Sequence, residues 1–216
     1  MKVAHVLYPG FTALDVVGAF QVFAGAPGMD PVFVALERGP ILDDSGHCPL
    51  LTTQSIADMT AADIVLVPGS DDGSEPDRAV LAWLRLVHPT TCFTLSVGTG
   101  SLSLAAAGLL EGGAATTHWA SAEKLHRFGV TYSDERVARH ERILTAAGSS
   151  AGIDLALTVV GLTHGPAVAQ AVQLAIQYDP QPPFDAGSPA KAPAQIGALV
   201  NEHYANRDQA HRALMR

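Results

Sequence analysis

The sequence predicts an α/β fold: a doubly wound, largely parallel sheet with helices on both faces. Three observations predict it. Short apolar runs of strand length alternate with stretches of helical spacing along the chain. Several of the apolar runs end in glycine-containing turns, as in YPGF, VPGS and VGTGS. The chain has 216 residues, of which 48% are hydrophobic and 16% charged, which suffices for one compact sheet covered on both sides.

The elements follow in order. Residues 2–8 read as a buried strand closed by Pro9-Gly10. Residues 12–24 have helical spacing, with Leu14, Val17, Val22 and Phe23 able to share much of one face. Residues 31–36 form a second strand before a Gly-Pro break, and residues 41–53 a hairpin or loop excursion. A third strand covers 63–67 and a helix 76–87. Residues 92–97 (CFTLSV) are a strand, and 99–110 a helix rich in small residues. Residues 114–117, 132–137 and 143–146 are further strands, with 139–142 as a polar turn. Helices are expected over 152–163, 166–176 and 193–215. Residues 1–190 are therefore read as the α/β domain and 191–216 as a C-terminal helical tail packed on it.

The net charge of −8 argues against nucleic acid and anionic membranes as partners. No apolar run reaches the roughly 20 residues needed to cross a bilayer. The opening MKVAHVLYPGF reads directly as a strand and not as a signal peptide, so a cytoplasmic protein is expected. The two cysteines, Cys48 and Cys92, suggest neither a disulfide scaffold nor a zinc site, and Cys92 is expected in a buried strand pointing into the sheet. The nine histidines show no metal-ligand spacing, so neither a metal nor a cofactor is expected, only a small-molecule substrate.

In open parallel sheets the ligand lies beyond the carboxyl ends of the strands. Four segments should meet there: YPGFTALD, VPGSDDG, VGTGS and TTHW. Gly98 stands at the apex of a strand-to-helix turn of the kind that lifts a nucleophile above the sheet, yet it offers only hydrogen. An ordinary tight turn needing positive φ explains the glycine equally well. Asp15, in the first helical turn, is either a helix-dipole partner or, buried among Leu14, Val16 and Val17, a carboxyl able to act as an acid near neutral pH. His118 is either an acid–base group or a satisfied structural residue. Gly69 and Ser70 can aim backbone N–H groups at developing negative charge, or merely end a strand. Thr99 offers a backbone N–H and a hydroxyl to a ligand, or caps the following helix. Asp154 is expected to be a dipole partner.

The segments YPGFTALDVVGAF, VLVPGS, LSVGTGSLSLAAAGLLEGGAATTHW, GSSAGIDLAL and VQLAIQYDPQPPFDAGSP together resemble the isonitrile (isocyanide) hydratase branch of the ThiJ/PfpI superfamily, with its class I glutamine amidotransferase-like, flavodoxin-like fold. The resemblance runs from the first strand to about Pro189. It implies a cysteine at the elbow, whose thiolate attacks the isocyanide carbon to give a thioimidate that water opens to an N-formamide. It implies that Asp15 is the acid–base partner, that Thr99 shapes the site, and that GSSAGID, with Ile153, covers the nucleophile. It also implies a homodimer with sites near the subunit interface. This chain departs in having Gly98 at the cysteine position and Ser70 in place of the second glycine of a PGG turn. The departure implies a hydratase-like enzyme that is inactive or impaired in this form. Two other readings stay open: an enzyme using Asp15 as general acid and base for nucleophile-free hydration, proton transfer or cyclisation of a bulkier substrate in secondary metabolism, and a small-molecule binding protein without turnover.

Overall fold

The computed structural model describes residues 1–71 and 76–214. Residues 72 and 73 of the VPGSDDG segment, and residue 215 of the expected tail helix, lie outside them. The chain opens with β1 (Lys2–Val6), α1 (Ala13–Gly25) and β2 (Asp30–Ala35). The expected excursion is an antiparallel hairpin, β3 (Gly39–Leu42) with β4 (Pro49–Thr52), followed by the short β5 (Gln54–Ser55). Next come β6 (Ile64–Val67), α2 (Arg78–Val87), β7 (Phe93–Val97) and α3 (Gly100–Ala106). The second half holds β8 (Ala114–Ala115), α4 (Ala122–His126), β9 (Thr131–Tyr132), β10 (Val137–His140) and β11 (Ile143–Ala146). Helices α5 (Ala151–His164), α6 (Pro166–Ala175) and α7 (Ala194–Leu214) close the chain.

Seven strands form the main sheet in the order β10-β11-β7-β6-β1-β2-β5. All its pairings are parallel except the edge hairpin β10–β11. The alternation of side chains along each strand divides the core in two. Val3, Ile64, Leu66, Leu95 and Val97 meet α1, α5 and α6 on one face. Ala4, Val6, Val65 and Val67 meet α2, α3 and α4 on the other. The doubly wound, largely parallel sheet is thus the architecture that the alternating elements predicted.

Order reverses at β1. Its successor β2 lies on one side and β6, which follows later, on the other. A crevice opens beyond the carboxyl ends of strands at such a switch point. The loop after β1 and the loop after β6 flank this one, and they are joined by an antiparallel bridge between Phe11 and Ser70.

Several expectations need correction. Cys92 lies before β7 and is exposed, because the strand starts one residue later at Phe93. Residues 132–137 do not form one strand. The segment splits into β9, which pairs with β8, and β10, which pairs with β11, so the two ends serve different sheets. Helix α3 stops at Ala106, and the chain turns at Gly108, which has φ 74°. On α1 the face buried against the sheet is Val16, Ala19, Val22 and Phe23, whereas Leu14 and Val17 are 46% and 38% exposed. Hence Leu14 and Val17 do not share the core face with Val22 and Phe23. His5, in the middle of β1, is fully buried against Phe20, Phe23 and Phe33.

Candidate active site

Three loops build the site. Strand β7 runs into α3 through Gly98, whose φ of 55° is left-handed. The turn is held from both sides: Gly98 N–H donates to Ala146 O, and Gly98 O accepts from the hydroxyls of Ser101 and Thr117. It is tight on its inner side as well. A Cβ on Gly100 would lie 2.2 Å from Val67 O and 2.7 Å from Pro68 O. Glycine is required there so that the start of α3 can press against the end of β6.

The geometry at Gly98 is that of an elbow, since a Cβ built on it would stand 3.1 Å from Asp15 Oδ2. Asp15 is 2% exposed. Its Oδ2 accepts the Gly69 N–H at 2.8 Å. Its Oδ1 is buried and has no hydrogen-bond partner of ordinary geometry among the described residues. Burial pushes the carboxyl up to about 6. The Ser149 hydroxyl and the Gly69 N–H pull it down in part, and the negative charge of Asp44 adds to the rise. A buried carboxyl with one oxygen unpartnered and a pKa near neutrality can give and take a proton at physiological pH.

Gly69 and Ser70 reach the site differently from the expectation. Their N–H groups are engaged within the protein: Gly69 N–H donates to Asp15 Oδ2, and Ser70 N–H donates to Thr99 Oγ1 at 2.9 Å. The Thr99 hydroxyl donates in turn to Ser70 O at 3.0 Å. It is therefore a clasp between the elbow and the β6 loop, and it makes no side-chain cap hydrogen bond to α3. Gly69 has no space for a side chain, because a Cβ would meet Thr99 Oγ1 at 2.6 Å and Asp15 Oδ2 at 3.0 Å. Sequence reasoning placed these residues at the rim correctly, but their N–H groups are spent on holding the loops together.

A cavity of about 150 Å3 lies over the elbow. Asp15, Gly69, Ser70, Gly98, Thr99 and His118 all line it. Ile153 does not. It packs instead against α1, where a Cβ on Gly18 would meet Ile153 Cγ1 at 3.0 Å, and Gly148 and Ser149 of the same GSSAGID segment line the cavity in its place. His118 faces the cavity with its ring against Trp119 and Tyr204, at centroid distances of 5.4 and 4.8 Å. Burial lowers its pKa and so favours the neutral ring, with a smaller opposing effect from Asp71.

Six lining residues were not singled out from the sequence: Thr12, Asp44, Asp71, Gly148, Ser149 and Tyr204. Asp44 comes from the β3–β4 hairpin and accepts the Thr12 hydroxyl at 2.6 Å. Tyr204 arrives from α7, more than a hundred residues from the elbow. No local pattern marks either one. Ser149 carried a signal, since it sits in the GSSAGID segment. Asp154 pairs with Arg136, an exposed contact outside the cavity lining. Among the described residues, no group of three or more His, Cys, Asp or Glu side chains is placed to share a metal ion, and no helix is long and apolar enough to cross a membrane.

Comparison with known proteins identifies the chain's relatives. The DJ-1/PfpI family model matches residues 1–162. The isonitrile hydratase of Pseudomonas putida is 37% identical over 199 residues, covering 91% of this chain and 86% of the hydratase. The HTH-type transcriptional regulator CdhR of Pseudomonas aeruginosa is 30% identical over 190 residues, but the aligned part is only 52% of that regulator. Among solved structures, a ThiJ/PfpI family protein from Pseudomonas syringae superimposes with a TM-score of 0.90 at 32% identity, over 99% of this chain and 89% of that one. The DJ-1 protein of Schizosaccharomyces pombe shares the fold at a TM-score of 0.69 and 16% identity, over 82% of this chain and 98% of its own. On its fold, its elbow and these relatives together, the chain belongs to the DJ-1/PfpI family.

Proposed function

We propose that this protein is a hydratase-like lyase that adds water to a small isonitrile-type substrate without a covalent intermediate, using Asp15 as both acid and base. One observation carries the reading: the Asp15 carboxyl stands 3.1 Å from the position of a side chain at residue 98, and that residue is glycine. The space that a thiol would take beside the carboxyl can admit the reacting water or the substrate carbon.

The steps balance. Protonated Asp15 gives its proton to the terminal carbon of R–N≡C, forming a nitrilium, R–N≡C–H bearing one positive charge. Water adds to that carbon through its oxygen lone pair. The Asp15 carboxylate takes a proton from the added water and so regains its starting form. The resulting formimidic acid tautomerises to the N-formamide. The raised pKa of Asp15 supports both halves of this exchange, since an acid–base group works best when its pKa lies near the ambient pH. Ser70 and Thr99 act as positioning residues that fix the β6 loop against the elbow, and His118 forms part of the wall. In this reading the enzyme needs no cofactor, acts in the cytoplasm and works as a homodimer.

A second reading rests on the 37% identity to an isonitrile hydratase: a covalent hydratase impaired by loss of its nucleophile. One experiment separates the two. Formamide production from ethyl isocyanide is followed by NMR for the unaltered chain, Asp15→Asn and Gly98→Cys. Acid–base hydration at Asp15 predicts turnover by the unaltered chain, a loss on the order of 100-fold or more in Asp15→Asn, and no gain in Gly98→Cys. A gain of orders of magnitude in Gly98→Cys overturns it in favour of the impaired covalent enzyme. Binding without turnover in all three forms favours a small-molecule binding protein.

A further inference from the structure

A separate well opens at the same edge of the sheet, on the face that α2 covers. It has a volume of about 180 Å3 and lies between the end of β1, the link from β2 to β3, and the start of α2. Its walls are apolar: Leu7, the Tyr8 ring, Ala35, Ile41 and Val80. All of these but Ile41 are buried, so core packing sets the shape of the well. The Tyr8 hydroxyl donates to Pro68 O at 2.9 Å, which fixes the ring in place. An apolar cavity of about 150 Å3 is enough for one benzene molecule. None of the described residues that line this well also lines the elbow cavity.

The charges around the well are of one sign. Glu37, from the link after β2, and Asp77, the residue that caps α2, both border it and are exposed. Asp77 accepts the Ala79 N–H through Oδ1 at 2.7 Å, whereas Glu37 makes no hydrogen bond or ion pair among the described residues. No basic side chain belongs to the described lining. Arg38, next to Glu37 in the chain, is held away by Asp58 at 2.9 Å. The N-terminal end of α2 would by itself favour an anion, but the Asp77 carboxylate already sits on it and offsets its charge.

We propose that this well is a second ligand site, and that its ligand is a small organic cation. A single ring or branched alkyl group sits among Leu7, Tyr8 and Val80, and its ammonium group stays at the rim beside Glu37 and Asp77. Removal of the apolar group from water drives entry. The ammonium group keeps most of its hydration at the rim, so the attraction of the two carboxylates is not cancelled by a cost of burying charge. The same carboxylates turn away an anion of equal shape. The site is independent of the hydration proposed at Asp15, and either can stand without the other.

The test is a titration followed by amide NMR at neutral pH. Benzylamine in its protonated form, benzyl alcohol and phenylacetate are added in turn to the unaltered chain, to Glu37→Gln, to Asp77→Asn and to the double variant. Asparagine is itself a good helix cap, and both positions are exposed, so the fold is retained. The expected result is saturable binding of benzylammonium, with shifts centred on the amides of Tyr8, Leu36 and Val80. It should bind about threefold or more tighter than benzyl alcohol, and phenylacetate more weakly than either. Each single variant should weaken benzylammonium by about twofold, and the double variant should bring it level with benzyl alcohol. Added salt should narrow the same gap in the unaltered chain. Shifts centred on Gly98, Thr99 and Gly148, equal affinities for the three compounds, a preference that survives in the double variant, or no saturable binding overturns the proposal.

Discussion

At Asp15 burial couples a single carboxyl to the stability of the fold. Its pKa is raised from 3.8 to about 6 in the folded chain, chiefly by burial. The sign follows: the group favours the fold most below pH 3.8, and that contribution is lost as pH rises through about 6. Asp15→Asn is therefore expected to be more stable than the unaltered chain at pH 8, by about 2–3 kcal/mol at most, and to lose that advantage below pH 4. Urea unfolding at the two pH values measures it. In the proposed hydration the same proton would set the rate, so turnover by the unaltered chain is expected to fall above about pH 6 along a single-proton limb. Gly98 has the opposite character. Its φ of 55° is costly for any residue with a Cβ. Gly98→Cys should unfold at lower urea, by about 1–2 kcal/mol, whatever it does to activity. Thermal and urea unfolding of the pair checks this. The sequence exposed both residues, because the CFTLSV-to-helix turn and the acidic first turn of α1 are local patterns. It could not show that Gly69 and Ser70 direct their N–H groups inward, because that depends on the distance between two loops 29 and 54 residues apart in the chain.

Among the elements, the clasp between α3 and the β6 loop is held by one hydroxyl. Thr99→Val keeps the shape but leaves the buried Ser70 N–H without its acceptor, which should cost about 1–3 kcal/mol. Hydrogen exchange at Ser70 should rise in that variant while exchange in β1 does not. Strand β1 carries its own strain. His5 is buried with Nε2 unpartnered among the described residues, and burial lowers its pKa to about 4, against weaker support from the Val3 and Val32 backbone. Its unfolded form takes a proton below about pH 6.5, so this group withdraws stability as pH falls from 6.5 towards 4. His5→Leu is expected to flatten that acid limb, as measured by the urea midpoint between pH 7 and pH 4.5. The strands β1, β6 and β7 were legible as short apolar runs bounded by glycine turns. The division of residues 132–137 between two sheets was not, since β9 and β10 each find a partner far along the chain and nothing within the segment announces the break.

The whole molecule places its candidate site at the reversal of strand order, where the loops after β1, β6 and β7 converge. That convergence followed from fold class alone, as a parallel sheet puts every βα loop on one edge. Tyr204 and Asp44 did not follow from it, because one belongs to the tail helix and the other to a hairpin set apart from the main sheet. The homodimer in the proposed function belongs to this scale as well. Sedimentation equilibrium is expected to return twice the chain mass, and a monomer at micromolar concentration overturns it. One further consequence lies in the oxygen that Asp15 offers to the β6 loop. Asp15 Oδ2 accepts from the Gly69 amide, and a carboxylate is the stronger acceptor when ionised. Ionisation of Asp15 therefore tightens the hold of α1 on the β6 loop and protonation loosens it, so the strength of this tie across the crevice varies with pH around 6.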